Sequence, residues 1–124
     1  MPKIPLQLNK RQWITIDASG VSAGRLATRV VKILLGKNNP VYLRSMPALD
    51  QWVRLENIAK IRFTGRKLQQ KVFYHYTGYM GHLKARKMGE VFARNPAEVF
   101  RHIVRGMLPK NKWRDVLIKH IIFS

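Results

Sequence analysis

Residues 71 to 82, KVFYHYTGYMGH, interleave Phe73, Tyr74, Tyr76 and Tyr79 with His75, His82, Gly78 and Gly81. Aromatic faces stack on unpaired bases or cover sugars, cations meet phosphates, and glycines allow close backbone approach, a combination suited to single-stranded or irregular RNA. The flanking charges agree: between Glu56 and Glu90 there is no acid, whereas Lys60, Arg62, Arg66, Lys67, Lys71, Lys84, Arg86 and Lys87 all fall in that interval. Phe73 and Tyr74 suit core packing as well as they suit stacking. The cluster as a whole, with its polar tips and turn residues, is expected to form a surface loop.

Other chemistries find weaker footing. Ile14 to Arg25 reads as strand, turn and helix with Gly20 and Gly24, and backbone N–H groups at a helix start attract phosphate. It has neither G-x-G-x-x-G nor a Gly-Lys-Ser/Thr ending, so a nucleotide pocket is a minor reading, and RNA phosphate would suit the same helix terminus. Asp50 and Glu56 are the closest acids in sequence and do not make an evident acid–base pair. His75, His82, His102 and His120 lack tight metal spacing, which leaves hydrogen bonding or stacking as their expected work. With no cysteine, disulfides, thiolate metal sites and thiol chemistry are excluded, and a reducing compartment is consistent. The expectation is of a protein that is not an enzyme and uses no cofactor, metal or small-molecule substrate.

Elements that would position these residues are legible in the apolar pattern. Trp13 to Asp17 reads as a strand ending at Ala18-Ser19-Gly20. A helix follows, with Ser22 as N-cap, Leu26, Ala27, Val30, Val31, Leu34 and Leu35 as its stripe, Gly36 as C-cap, and Arg25, Arg29 and Lys32 facing outward. Val41 to Arg44 after Pro40 reads as a short extended piece, Gln51 to Leu55 as a strand, and Ile61 to Thr64 as another that stops at Gly65. Asn95-Pro96-Ala97-Glu98 sets a cap, a first-turn proline and an acid at the spacing that starts a helix. Its stripe is Val99, Ile103, Val104 and Met107, with Arg101 and Arg105 on the solvent or ligand side and Gly106 with Pro109 near its end. A last amphipathic helical segment is expected over Trp113 to Ile122, with Val116, Leu117 and Ile121 inward.

The whole chain has 124 residues with 24 Lys plus Arg against 6 Asp plus Glu, a formal charge of +18, and a hydrophobic fraction of 46%. That is enough apolar material for one α/β domain, a small sheet covered by helices, and enough charge to require a polyanion as partner. No apolar run approaches a membrane span, and the N-terminus lacks a secretion or organelle signal, so a cytoplasmic protein with no membrane partner is expected. Residues 1–12, with Lys3, Lys10 and Arg11, read as a basic arm, and residues 13–124 as a single domain.

Taken in order, WITIDASG, GRLAT, GKNNP, TGRKLQQKVFYHYTGY and RNPAEVFRHIVRGMLPKN resemble large-subunit ribosomal protein family thirteen, bacterial type, over roughly residues 11 to 123. Gly106 to Asn111 and Lys71 to Tyr79 are its most specific pieces. The resemblance implies a mainly parallel four-stranded sheet flanked by helices, a place in the large ribosomal subunit beside neighbouring ribosomal proteins, binding to large-subunit rRNA, and a part in subunit assembly. Carried onto matching positions it nominates Arg25, Lys37, Lys67, Lys71, Tyr74, Tyr79, Lys110 and Asn111 as rRNA contacts. Arg66, Arg86 and Arg114 join them because a guanidinium forks across phosphate oxygens or stacks on a base. His75, Tyr76, His82, Lys84 and Lys112 complete the expected surface. The chain departs from the family pattern at His75, Tyr76, Met80 and His82, in the shortened Lys112-Trp113-Arg114 element, and between Arg44 and Asp50. The alternative class is a free-standing RNA-binding regulator or a nucleotide-dependent enzyme on the same small fold.

Overall fold

Gln12–Asp17 forms the first strand, β1, of the computed structural model, which describes residues 11–40, 42–45, 47 and 49–124. Lys3 and Lys10 of the expected basic arm, and Val41 of the expected extended piece, lie outside the described residues. Alternation decides the faces of β1: Ile16 is buried and Ile14 packs on the core, whereas Trp13, Thr15 and Asp17 face outward. Strand β2 (Gln51–Glu56) lies parallel to it in the register Ile14↔Val53 and Ile16↔Leu55, which puts the apolar residues of both strands on one side. Parallel neighbours need a crossover, supplied between them by helix α1 (Ala23–Leu34).

Helix α1 buries Leu26, Ala27, Val30, Val31, Ile33 and Leu34. Ser22 occupies the N-cap position with extended backbone, but its hydroxyl makes no capping bond; its carbonyl accepts the Leu26 N–H at 2.9 Å. At the other end Leu35 is the capping residue and Gly36, at φ +76°, is the one after it. The Gly36 N–H donates to Ile33 and the Lys37 N–H to Lys32, each at 3.0 Å, so two otherwise orphaned carbonyls are satisfied by a left-handed turn that glycine adopts without a Cβ penalty.

Helix α4 (Pro96–Met107) packs against α1 through Phe100 and Val104. Its N-terminus is capped as the sequence predicts, Asn95 Oδ1 accepting the Glu98 N–H at 3.4 Å. Two expectations about this region are corrected. Met107 is 44% exposed at the end of the helix, where its sulfur meets Thr28 Oγ1 at 3.9 Å, and Phe100 takes the central buried place instead. Trp113 to Ile122 is not one helix. Helix α5 (Trp113–Ile118) stops, and Ile121–Phe123 becomes strand β5, parallel to β2. Joining the sheet pairs backbone groups that a frayed last turn would leave open, with Val53 N–H to His120 and Ser124 N–H to Leu55 at 3.0 and 2.9 Å. Ile121 is buried as a strand residue, and Val116 is exposed.

The sheet order is β1-β2-β5. Residues 61–64 alternate as expected, Ile61 buried and Arg62 exposed, yet contribute one parallel bridge, Ser22↔Arg62, rather than a fourth strand. Their partner segment turns into α1 directly after Ser22, so the ladder has nowhere to continue. The fold class is therefore α/β with a three-stranded parallel sheet among the described residues. The core lies between the sheet's inner face and α1, α4 and Leu117; each fully buried large side chain there, such as Phe100, Leu26, Leu34 or Leu55, contributes about 1.5–3 kcal/mol relative to exposure.

Parallel sheets usually carry helices on both faces. Here the outer face closes on itself. Trp52 stacks on the buried His120 at 4.4 Å and meets Trp13 at 5.5 Å, with the Arg11 guanidinium 4.8 Å above Trp52 and Arg54 5.4 Å from Trp13.

The aromatic block is not a loop throughout. Strands β3 (Val72–Tyr76) and β4 (Leu83–Lys87) form an antiparallel hairpin, and only residues 77–82 connect them. Short helix α2 (Lys67–Gln70) precedes the hairpin and α3 (Met88–Arg94) follows it. A second small core of Met88, Val91 and Val99, with Leu68 and Phe73 against it, ties the hairpin base to α4. Gly89 is required at this junction, because a Cβ there would lie 2.7 Å from the Leu68 carbonyl oxygen.

Candidate nucleic-acid interface

Antiparallel register decides which hairpin side chains act together. Phe73↔Arg86 and His75↔Lys84 are cross-strand partners and project from one face, while Tyr74 and Tyr76 project from the other. Tyr74, Tyr76 and Tyr79 are 68%, 57% and 72% exposed, and all five residues of β4 are exposed. An apolar strand would be expected to bury one face; this hairpin offers both to solvent. Phe73, by contrast, is half-buried and meets the His102 ring at 4.5 Å, so of the two aromatics that suited either role, Phe73 packs and Tyr74 is displayed.

The connecting turn is held by its own backbone. Gly78 and Gly81 have φ of +88° and +79°, Thr77 Oγ1 donates to the His82 carbonyl at 3.2 Å, and the His82 N–H donates to Tyr79 at 3.1 Å. Tyr79 and His82 meet edge to face at 5.1 Å, which places two rings at the tip, inclined to each other by 66°. Arg66, Lys67 and Lys71 are exposed at the hairpin base, where the Lys71 carbonyl accepts the Met88 N–H at 2.9 Å.

Beside the hairpin lies a groove of about 640 Å³. One wall is the Phe73, His75, Lys84 and Arg86 face. Opposite stand Glu98, Arg101, His102 and Arg105, spaced to share one face of α4, with Asp115 and Ile118 of α5 and Lys119 just after it at the end. Among the described residues one arginine–carboxylate pair forms, Arg105 with Asp115 at 3.5 Å, on exposed side chains and therefore worth little to stability. The remaining cations here have no acid in contact to neutralise them.

The sequence puts Arg101 and Arg105 on a solvent or ligand side and gives His102 hydrogen bonding or stacking as its work, but it nominates none of the three as a contact and does not single out Lys119. Their signal was the spacing 98, 101, 102, 105 on the face of α4 away from its buried stripe. What could not be read was that the hairpin folds back beside that face.

The other nominated residues fall elsewhere. Lys37 and Asn111 line a second, smaller cavity of about 320 Å³ together with Tyr42, Arg44 and Trp113. Asn111 already has a structural duty there, its Oδ1 accepting the Trp113 N–H at 3.0 Å where α5 begins. Lys110 and Lys112 flank it in solvent, and Arg114 is half-buried. Arg25 is exposed in the first turn of α1 and lines neither cavity.

The turn that faintly resembled a nucleotide site is occupied by its own chain. The N–H groups of Gly20, Val21 and Ala23 donate to Lys60, Ala18 and Arg62 carbonyls at 3.1, 3.3 and 2.9 Å. Asp17 closes it further, accepting from the Ser19 N–H at 3.0 Å and from Asn57 Nδ2 at 3.1 Å. Those bonds, the Ser19 one foremost, with the Lys60 charge nearby, hold its carboxyl below the ordinary carboxylate value. A phosphate brought here would meet a carboxylate and few open donors. Among the described residues, no group of three or more His, Asp or Glu comes together to hold a metal.

Residues 11–123 match a protein-family model described as Ribosomal protein L13. The large ribosomal subunit protein uL13 of Lactobacillus johnsonii is 45% identical over 102 residues, covering 82% of this chain and 69% of the relative. That of Thermus thermophilus is 40% identical over 118 residues, covering 95% and 83%. The Thioalkalivibrio sulfidiphilus protein of the same name is 38% identical over 112 residues, covering 90% and 78%.

Proposed function

Because the chain belongs to the ribosomal protein L13 family, we propose that its exposed hairpin and the cations at the hairpin base are the surface by which it grips large-subunit rRNA. The protein is a structural constituent of the large ribosomal subunit, associates with rRNA in translation, and is not an enzyme. The observation that carries the choice of surface is the hairpin itself: both faces carry solvent-exposed rings or cations, and no acid lies between Glu56 and Glu90.

In this reading Arg66, Lys67, Lys71, Lys84 and Arg86 meet phosphates, while Tyr74, Tyr76, Tyr79, His75 and His82 contact unpaired bases or sugars. Lys37, Lys110, Asn111, Lys112 and Arg114 form a second contact around the smaller cavity, and Arg25 a separate one. Residues 1–12 serve as a basic arm to the single domain of residues 13–124, the protein takes part in subunit assembly, and neighbouring ribosomal proteins adjoin it.

Replacing Arg66, Lys67 and Lys71 together by Gln tests the hairpin base. All three are exposed, so folding is retained. Binding to large-subunit rRNA is expected to weaken, and the slope of log affinity against log salt to shrink by roughly 2–3 for three lost phosphate contacts. Unchanged affinity and slope would remove these residues from the interface.

A further inference from the structure

We propose that the groove between the β3–β4 hairpin and helices α4 and α5 seats one unpaired nucleotide of the large-subunit rRNA, base inward and phosphates on the rim. The proposal rests on the rRNA reading above and deepens it, because the groove shares Lys84 and Arg86 with that surface. Four features of the groove choose this occupant.

Its floor is apolar and aromatic: Phe73 and His102 lie 4.5 Å apart at 58°, beside Val99 and Ile118. Duplex backbone gains nothing from such a floor, whereas a splayed base stacks on it. The rim is cationic on opposite sides, Lys84 and Arg86 from the hairpin against Arg101 from α4, the arrangement that holds a phosphodiester chain passing on either side of a flipped base. Glu98 also lines the groove, and a carboxylate accepts from the exocyclic amine of a base. The volume, about 640 Å³, lies within the range of pockets that enclose single small ligands, roughly 300–1,000 Å³.

Ultraviolet cross-linking of the full chain to unmodified large-subunit rRNA, with peptides mapped by mass spectrometry, tests this. Nucleotide adducts are expected on Phe73 or His102 in addition to the hairpin tip at Tyr79. The double variant Arg86→Gln, Arg101→Gln and the single variant His102→Ala change exposed side chains only, and circular dichroism verifies their folds. Each is expected to lose the groove adduct while keeping the Tyr79 adduct, and His102→Ala to bind roughly 5- to 150-fold more weakly, the equivalent of one stacked base. Adducts at the tip but none in the groove, with variants binding like the parent, would overturn the nucleotide seat and leave rRNA binding standing. Absence of adducts at both places would overturn both. Cross-links from Lys84 or Lys119 to a neighbouring protein in intact subunits, in place of RNA adducts, would assign the groove to a peptide and end the proposal.

Discussion

Asn57 adopts φ +55°, the left-handed backbone that costs most residues about 1–2 kcal/mol, and its side chain also donates to Asp17. Asn57→Ala is therefore expected to lower unfolding stability by about 1–2 kcal/mol, and Asn57→Gly by less, because glycine keeps the turn and loses only the exposed hydrogen bond. Denaturant unfolding of the two variants checks the order; an alanine variant as stable as the parent would contradict it. Asp17 supplies a pH signature of known sign. Its folded carboxyl titrates below the unfolded value of about 3.9, so its contribution is fully present above that value and is lost as pH falls through the lowered folded one. Asp17→Asn should reduce stability at neutral pH and flatten the acid limb of the urea midpoint against pH; an unchanged limb would show that these bonds do not stabilise the fold. Residue roles of this kind were invisible in the sequence, because Asn57 and Asp17 meet only when β1 and β2 pair in register. The same holds for Asn111, which sequence resemblance offers to RNA and the fold also employs at the start of α5.

Elements whose pattern comes from one buried face were legible: β1 and β2 by alternation, α1 by its stripe and glycine stop, α4 by its cap. The Asn95 cap is long at 3.4 Å, so Asn95→Ala is expected to cost only about 0.5–1 kcal/mol, the lower part of the range for such caps, read as a shift in thermal midpoint. A loss above the full range would mean that Asn95 does more than cap. Elements without a single buried face were not legible. Strand β4 is exposed at every position, so the short alternation of LKARK, with only Leu83 and Ala85 apolar, marks no buried face. From sequence the block consequently reads as a loop, although the contacts it nominates there, Tyr74, His75, Tyr76, Tyr79 and His82, are the displayed residues, and Phe73 alone of the aromatics packs inward. Strand β5 is hidden for another reason: Ile121 falls four residues after Leu117, at helical spacing, and three residues cannot distinguish a last helical turn from a sheet edge. The expected fourth strand failed because its partner chain turns into α1, a tertiary fact absent from residues 61–64 themselves.

At the scale of the molecule, the excess charge is unevenly placed. Asp17 and Glu56 end neighbouring strands, and Asp115 is paired with Arg105, whereas the interval between Glu56 and Glu90 carries cations alone. The sheet's outer face, with its stacked Trp52 and His120, and the hairpin with its groove are thus chemically different surfaces on one small body. A charge of +18 alone would bind any polyanion, so selectivity has to come from shape and rings. The most direct measurement is equilibrium binding of the full chain to large-subunit rRNA with heparin as competitor, repeated across a salt series. Retained preference for the rRNA as salt rises, with affinity falling steeply but selectivity persisting, is the predicted result. Equal displacement by heparin at every salt concentration would contradict a built rRNA surface.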